Sequence, residues 1–486
     1  MKKLIYVVLP IILITVSCEK FLDQQPISDL SSELFWRTPD DAQLGIAGVY
    51  DGLQSAIGTG NFTDWGDARS DNFTFGGTGE NQITITLNGL NSTTSAADWG
   101  DLYVTIGRAN SAVKYINRTE GLTAAAKNNY LSQALAIRAY MYFYAVRVWG
   151  DIPVRLEPYE SLTDIANVTR TPAQTVIDDI IIPDLLEAYE LSDKTNNTVW
   201  EVNPGGILAI LTDVYMWTKN YPKVLETTQK IAGLNRYGLV PSSDWKKVFI
   251  DPGTTSIKEN IWSLHWSFSQ DRQGNGVNNF AKIGSGSNTS NYKIDSVVFN
   301  RFEAHPEDIR RTITYDTLLK AGTQGVNQIW KFYPAGPDGK ITLPVSDQNE
   351  AKIPLYRYAD ILLLRAEALN RSNDKPGAIG IVNQIRTRAG LSALNVADYI
   401  NATDKEVETV ILEERQMELF AEGRRWFDLV RTDRVLEVMD PIIRHRQELL
   451  SLTPVGFTDE RKILFPISRE ALNRNPLLVQ NEPYSE

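Results

Sequence analysis

The chain has 486 residues, 42% of them hydrophobic, and sets 49 basic against 60 acidic side chains for a formal net charge of −11. That is enough apolar material for a large core, and the acidic balance, without a basic run that could follow a phosphate backbone, excludes nucleic acid as a partner. One cysteine and three scattered histidines exclude an internal disulfide and any zinc-ligand spacing, so neither a metal nor a cofactor is expected.

Lys2 and Lys3 precede an apolar run from Leu4 to about Val16 that ends at Ser17 and Cys18. The run is shorter than the roughly 20 residues of a membrane-spanning helix and is interrupted by Pro10, so residues 1–17 read as a secretory signal. A lone cysteine after a small residue, with Thr15 where a lipobox carries leucine, predicts cleavage before Cys18 and lipid on its sulfur and new amino terminus. Residues 18–37 read as a tether that docks through Leu34, Phe35 and Trp36.

Thr38, Pro39, Asp40 and Asp41 then supply a cap, a first-turn proline and an acidic first turn, and Ile46, Val49, Tyr50, Leu53 and Ile57 give the helix one apolar face. Residues 61–94 lose the helical period. Rich in Gly, Asn and Thr, with Trp65, Asp67, Arg69, Asp71, Phe73 and Phe75 interspersed, they are expected to form a loop carrying aromatic side chains. Helical spacing returns with Trp99, Leu102, Tyr103, Ile106 and Val113 and again from Tyr130 to Val148, an expected antiparallel pair stopped by Gly150 and Pro153. Trp99 reads as core. Another helix starts at Thr171 and Pro172, with a kink expected at Pro183, and residues 204–217 and 221–234 form the next pair. Repeated helix hairpins of this length suggest a tetratricopeptide-like array, although no strict repeat of about 34 residues aligns.

Residues 236–354 are dominated by Gly, Asn, Ser and aromatics. The run from Ile261 alternates bulky and polar residues as a strand does, and a stretch this long and irregular inside a compact protein is usually functional or disordered. Three helix-like segments follow, within residues 356–431. Tyr358, Leu362, Ala366 and Leu369 stack on one face of the first, while Leu412, Leu419, Trp426 and Val430 make a stripe on the third, with Gly423 inside it as a break or a close packing point. Arg365, Glu367, Glu414, Arg415, Glu422, Arg424, Arg425 and Asp428 lie in or beside these stripes, so buried, register-fixing ion pairs are expected; Arg424 and Asp428, four apart, could meet on one helix. A helix to Met439, a polar loop and an F-P-I-S turn capping a short last helix end the chain.

Catalytic signals are weak. The Gly clusters at 77–82, 274–276 and 284–286 lack the strand and helix of a phosphate loop, and His265, His305 and His445 have no recognisable metal or nucleophile partners. A carboxylate pair for glycoside hydrolysis is not readable among 60 acidic residues. Binding has a firmer basis. Sugar rings present C–H faces and hydroxyl rims, which suit flat aromatic surfaces beside fixed polar side chains. Trp65, Asp71 and Phe75 in one loop region, and Trp266, Phe268, Asn278, Phe280 and Tyr292 with Trp330 in the other, are the candidate ligand-binding residues.

The motifs Y-A-D-I-L-L-L-R-A-E-A-L-N, I-V-N-Q-I-R-T-R-A-G-L and L-E-E-R-Q-M-E-L-F-A-E-G-R-R-W-F-D-L, together with C-E-K-F-L-D at 18–23 and the pieces at 99–110, 136–153 and 464–476, follow one another in this order. In this the chain resembles the SusD/RagB family of Bacteroidetes outer-membrane lipoproteins over essentially its whole mature length. The resemblance implies a mainly α fold: a tetratricopeptide-like scaffold at 38–235 and 355–486, with a large loop-rich insertion at 236–354 facing ligand. It also implies a non-enzymatic protein that captures oligosaccharides on a shallow, loop-built surface and works with a SusC-like TonB-dependent outer-membrane transporter. Glu19 and Asp23 after the cysteine resemble the family's surface-export signal, which places the chain on the outer face of the outer membrane. A helical adaptor for protein or peptide partners and a surface hydrolase are the alternative readings.

Overall fold

The structure, a computed structural model, describes residues 35–58, 61–76, 79–160, 164, 167–266, 274–275, 292–315, 329, 331–332, 348–349 and 352–484. Cys18, Leu34, Phe268, Asn278, Phe280 and Trp330 lie outside the described residues. Helices of six residues or more are numbered here in chain order.

Helix α1 (Pro39–Gly58) starts where its sequence announces it: the Thr38 amide donates to Asp41 at 2.8 Å and the Asp41 amide donates back to the Thr38 hydroxyl at 3.3 Å. It packs on α4 (Gly100–Tyr115), which packs on α5 (Ala124–Trp149). Every residue of α5 from 131 to 149 is buried, so this helix is an axle wrapped on all sides and not an amphipathic surface helix. Its two arginines are paired: Arg138 with Asp184 at 2.8 Å and Arg147 with Asp213 at 3.2 Å.

Between α1 and α4 the expected loop is largely ordered structure. It contains α2 (Asn61–Gly66), strand β1 (Phe73–Phe75) and α3 (Glu80–Thr86), and residues 62–73 are buried throughout. Composition misread it because the stretch is held by buried polar bonds instead of an apolar period: Asp67 accepts from Asn72 at 2.8 Å and from the Gly423 amide at 2.6 Å.

α6 (Ile182–Leu191) continues from a π turn at Ile177–Ile181, which shifts the helical register just before Pro183, the residue that cannot donate a backbone N–H. α7 (Pro204–Trp217), α8 (Tyr221–Gly233) and, later, α12 (Lys375–Arg388) share one start device, an Asn or Asp cap followed by proline: Asn203 with Pro204, Asn220 with Pro222, Asp374 with Pro376. α7 packs on α8, and α8 packs directly on α11 (Tyr358–Arg371), across more than a hundred residues of intervening chain. α11 packs on α12 and both on α13 (Asp404–Glu418), so the helix hairpins form one tetratricopeptide-like array.

The intervening residues carry α9 (Ser296–Glu303) and α10 (Ile309–Thr314) and most of the strands. After β1, the strands are β2 (Ile152–Pro153), β3 (Arg170–Thr171), β4 (Asn260–Leu264), β5 (Gly274–Asn275), β6 (Tyr292–Ile294), β7 (Gln348–Asn349) and β8 (Ile353–Arg357). They pair two by two: β1 with β6, β2 with β3 and β4 with β8 antiparallel, β5 with β7 parallel. β4 and β8 are buried at every position and bring the two ends of the insertion back together.

The stripe through Gly423 is not one helix. α13 ends at Glu418 and α14 (Arg425–Arg431) starts anew, with Gly423 at φ 69° between them. α15 (Val435–Leu449) runs ten residues past the predicted end at Met439 and across Pro441, and Ser468 caps α16 (Arg469–Arg474).

The charges on these helices are buried and paired over long separations. Arg357 reaches Glu259, Glu418 and Glu422 at 2.6–2.7 Å; Arg310 reaches Asp308, Glu414 and Glu418; Arg388 bridges Glu259 and Glu418. Arg424 and Asp428 do not pair with each other. Arg424 turns to Asp213 and Asp360, and Asp428 to Arg415 and Arg431, because each finds a buried counter-charge on another segment packed against it.

Candidate functional site

Three of the sequence-predicted ligand residues are part of this frame. Trp65 is 1% exposed, donates from Nε1 to the Ala96 carbonyl at 2.7 Å and packs its ring 5.4 Å from that of Trp149. Asp71 accepts two bonds from Arg425, at 2.7 and 2.8 Å; burial alone would raise its pKa, and the guanidinium of Arg425 holds it below the usual carboxylate value instead. Tyr292 donates to Asp64 at 2.6 Å from a buried position in β6. These side chains are corrected from surface to core, because aromatics in a Gly- and Asn-rich stretch can equally fasten a buried segment. Phe75, opposite Tyr292 in the β1–β6 pair, is half-buried. Trp99 and Trp426 are core, as expected.

Trp266 is different. It is 6% exposed and lines a solvent-open cleft of about 1010 Å³, at the top of the range of roughly 300–1,000 Å³ typical of ligand sites. One wall is a single face of α1, where Gln43, Ala47, Tyr50 and Gln54 recur at three- and four-residue spacing. The first turns of α5 add Asn129, Tyr130 and Gln133; Trp200 and Glu201 come from the segment before α7, and Leu264, His265 and Trp266 from the end of β4.

Hydrogen bonds fix these groups before any ligand arrives. The Tyr50 hydroxyl donates to Gln133 Oε1 at 2.8 Å and accepts from the Val202 amide at 2.9 Å, and Gln54 Nε2 donates to the His265 carbonyl at 2.5 Å. Burial, with the nearby carboxylate of Glu201 adding to it, pushes the Tyr50 pKa up, so the hydroxyl stays neutral. The Trp200 and His265 rings stand 4.7 Å apart at 53°. The segment bearing Trp200 is itself clamped: the Ser263 amide donates to the Val199 carbonyl at 2.7 Å, and Asn203 Nδ2 donates to the carbonyls of Thr198 and Ile261 at 2.8 Å each.

The result is a concave surface of two indoles, two phenols and several amide side chains, suited to stacking and hydrogen bonding with an uncharged polar ligand. Among the described residues no group of three or more His, Cys, Asp or Glu side chains could hold a metal ion. Trp200 and Tyr130 escaped sequence reasoning. Tyr130 sits in a helical period that reads as core, whereas Trp200, in T-N-N-T-V-W-E, carries the same polar-plus-aromatic signal used to single out the other loops.

Over 96% of its own length the chain is 31% identical to the SusD-like protein P38 of Formosa agariphila, of which it covers 96%. The chain belongs to the SusD family. Residues 328–484 of this SusD-family protein match the family model described as "SusD family", and residues 20–216 the model described as "Starch-binding associating with outer membrane". It is also 28% identical to the SusD-like protein P2 of the same organism, covering 99% of this chain and all of that one. A solved SusD superfamily protein from Bacteroides thetaiotaomicron, 20% identical, superposes with a TM-score of 0.74 over 91% of this chain and 99% of its own, which places the SusD-family protein in the same helical, tetratricopeptide-like fold. Among the described residues no helix is long and apolar enough to cross a membrane.

Proposed function

We propose that this SusD-family protein is a cell-surface, glycan-binding lipoprotein of the outer membrane, held by lipid on Cys18, that captures oligosaccharides and delivers them to a SusC-like TonB-dependent transporter. The observation that carries the reading is the cleft. Trp200 and Tyr130 offer ring surfaces for sugar C–H faces, with Trp266 packed behind them in the wall, and Gln54, Asn129 and Gln133 stand beside them with hydrogen-bonding groups for hydroxyls. The description of the family model over residues 20–216, as starch-binding and associated with the outer membrane, supports a saccharide over a peptide. Both carboxylates of the cleft have partners: Asp51 pairs with Arg108 at 2.5 Å, and Glu201 accepts from Asn196 at 3.3 Å.

A glycan array probed with the purified mature chain, followed by calorimetry on each binder, tests the reading. Binding of at least one oligosaccharide class, lost in Trp200→Ala and without release of reducing sugar, is the expected result. Binding to no glycan would overturn capture, and release of reducing ends would turn the protein into a hydrolase. Co-purification of a β-barrel transporter with the native protein tests the partner.

A further inference from the structure

Trp200 belongs to two cavities. On one side is the cleft described above; on the other lies a second, solvent-open cavity of about 390 Å³, lined among others by Asn197, Thr198, Tyr237, Thr255 and Asn260, with Trp200 common to both. Residues 197–201 form a ridge that lines both: 197–200 face the second cavity, and Trp200 and Glu201 the cleft. The Trp200 ring stands 4.7 Å from the His265 imidazole, a cleft residue, while a Cβ built on Gly253, in the second cavity, would come within 2.9 Å of its Cζ2. The ridge is rigid, since Val199 is bonded to β4 and Thr198 to Asn203.

The second cavity also carries an unspent acceptor. Asn260 is 2% exposed and donates from Nδ2 to the Ser263 hydroxyl at 3.1 Å, yet its Oδ1 is buried without a hydrogen-bond partner. A buried amide oxygen left unmatched costs about 1–3 kcal/mol. The cavity presents a phenol, an indole edge and hydroxyl side chains, as the cleft does, together with the cations of Arg236 and Lys258. Tyr237, which donates to Asn203 Oδ1 at 3.0 Å, joins the cavity wall to the residue that clamps the ridge.

We propose that the second cavity is a distal saccharide subsite, so that the ligand is an extended glycan chain lying across the ridge, with Trp200 as the ring surface shared by the sugar units on either side. The proposal rests on the glycan-capture reading and adds chain length to it. A short oligosaccharide fills the cleft alone; a longer one of the same series gains the contacts of the second cavity, and linking the two binding events in one molecule raises affinity without any change in the cleft.

The test uses the mature chain and the oligosaccharide series, from trisaccharide to octasaccharide, of whichever polysaccharide the array identifies. Calorimetry is run on the wild type and on Thr255→Trp, which fills the second cavity from an exposed position away from the cleft. Wild-type affinity should rise by about tenfold or more between the shortest binder and the longer members, and Thr255→Trp should abolish that rise while leaving the shortest binder unchanged. Affinity independent of length, or a length dependence untouched in Thr255→Trp, overturns the distal subsite and leaves glycan capture standing. A wild type that binds no saccharide of any length overturns both. A melting temperature for Thr255→Trp within a few degrees of wild type shows that its effect is local, and crystals soaked with the longest binder should show sugar on both sides of Trp200.

Discussion

Arg357 Nη1 lies 2.6 Å from Glu418 Oε1, with both side chains wholly buried, one at the end of β8 and the other at the end of α13. The same guanidinium also reaches Glu259, at the start of β4, and Glu422, in the break before α14. A single side chain thus ties the insertion to the helical array. Charges removed from water this completely add little net stability when paired, but removing one partner is costly. Arg357→Ala should therefore lower the unfolding free energy by about 3–5 kcal/mol, measured by urea denaturation, because three carboxylates lose a counter-charge at once. A loss below about 1 kcal/mol would show that the network adapts and does not set the register.

Acid should loosen the same region first. Burial on its own would raise the Glu418 pKa, but Arg388, Arg357 and Arg310 hold it well below the usual carboxylate range, and Glu422 and Asp428 are lowered in the same way by their cationic partners. A carboxylate depressed in the folded state contributes stability above its unfolded pKa, about 4 for Asp and Glu, and loses it as pH falls through the folded value. Below about pH 4 the melting temperature should fall steeply, and Glu418→Gln should blunt that fall. An equally steep fall in the variant would place the acid sensitivity elsewhere.

Gly423 cannot carry a side chain. Its φ of 69° is left-handed, a Cβ there would sit 2.8 Å from Phe62 Cζ, and its amide donates to the buried Asp67 at 2.6 Å. Its own carbonyl leaves no room for a Cβ on Gly66. Gly423→Ala should cost at least about 2 kcal/mol from backbone strain and displaced aromatic packing combined, read as a lower melting temperature. A neutral substitution would mean that α2 can move away at little cost.

Among the described residues, no carboxylate pairs with the buried cation of Arg69. Its guanidinium lies 3.9 Å over the Trp426 ring and donates to the carbonyls of Lys462 and Ile463, and burial pushes its pKa down to about 9, so it is charged at neutral pH. Arg69→Met keeps the volume and removes the donors, for an expected loss of about 1–3 kcal/mol. Hydrogen exchange should quicken mainly in residues 462–464, where Arg69 holds the chain, and less at Phe465, whose amide donates to the Val148 carbonyl. Unchanged exchange there would assign the cost to the cation–ring contact alone.

In the cleft, Trp200 is half-buried and Trp266 almost wholly buried, so their alanine variants should separate binding from folding. Trp200→Ala should weaken glycan binding by about thirtyfold or more with little effect on melting temperature, whereas Trp266→Ala should lower both. Equal melting losses in the two variants would mean that Trp200 is chiefly structural.

The helix order, the cap at Thr38, the β4 strand and the fate of Trp99 and Trp426 were all legible in the chain by itself, because caps, prolines and apolar periods act over a few neighbouring residues. So was the expectation that helix charges would be buried in pairs. Which charge meets which was not: Arg424 and Asp428 are four apart, yet packing against distant segments sends one to Asp213 and the other to Arg415. The candidate site divided in the same way. Trp65, Asp71 and Tyr292 have the composition of a ligand loop but are held inward by bonds to Ala96, Arg425 and Asp64, partners between 31 and 354 residues away. The cleft takes its side chains from α1, α5, the 197–201 ridge and the end of β4. Local spacing determines where a helix or strand begins and which face is apolar; only the packing of distant segments decides whether an indole ends against another ring or against solvent.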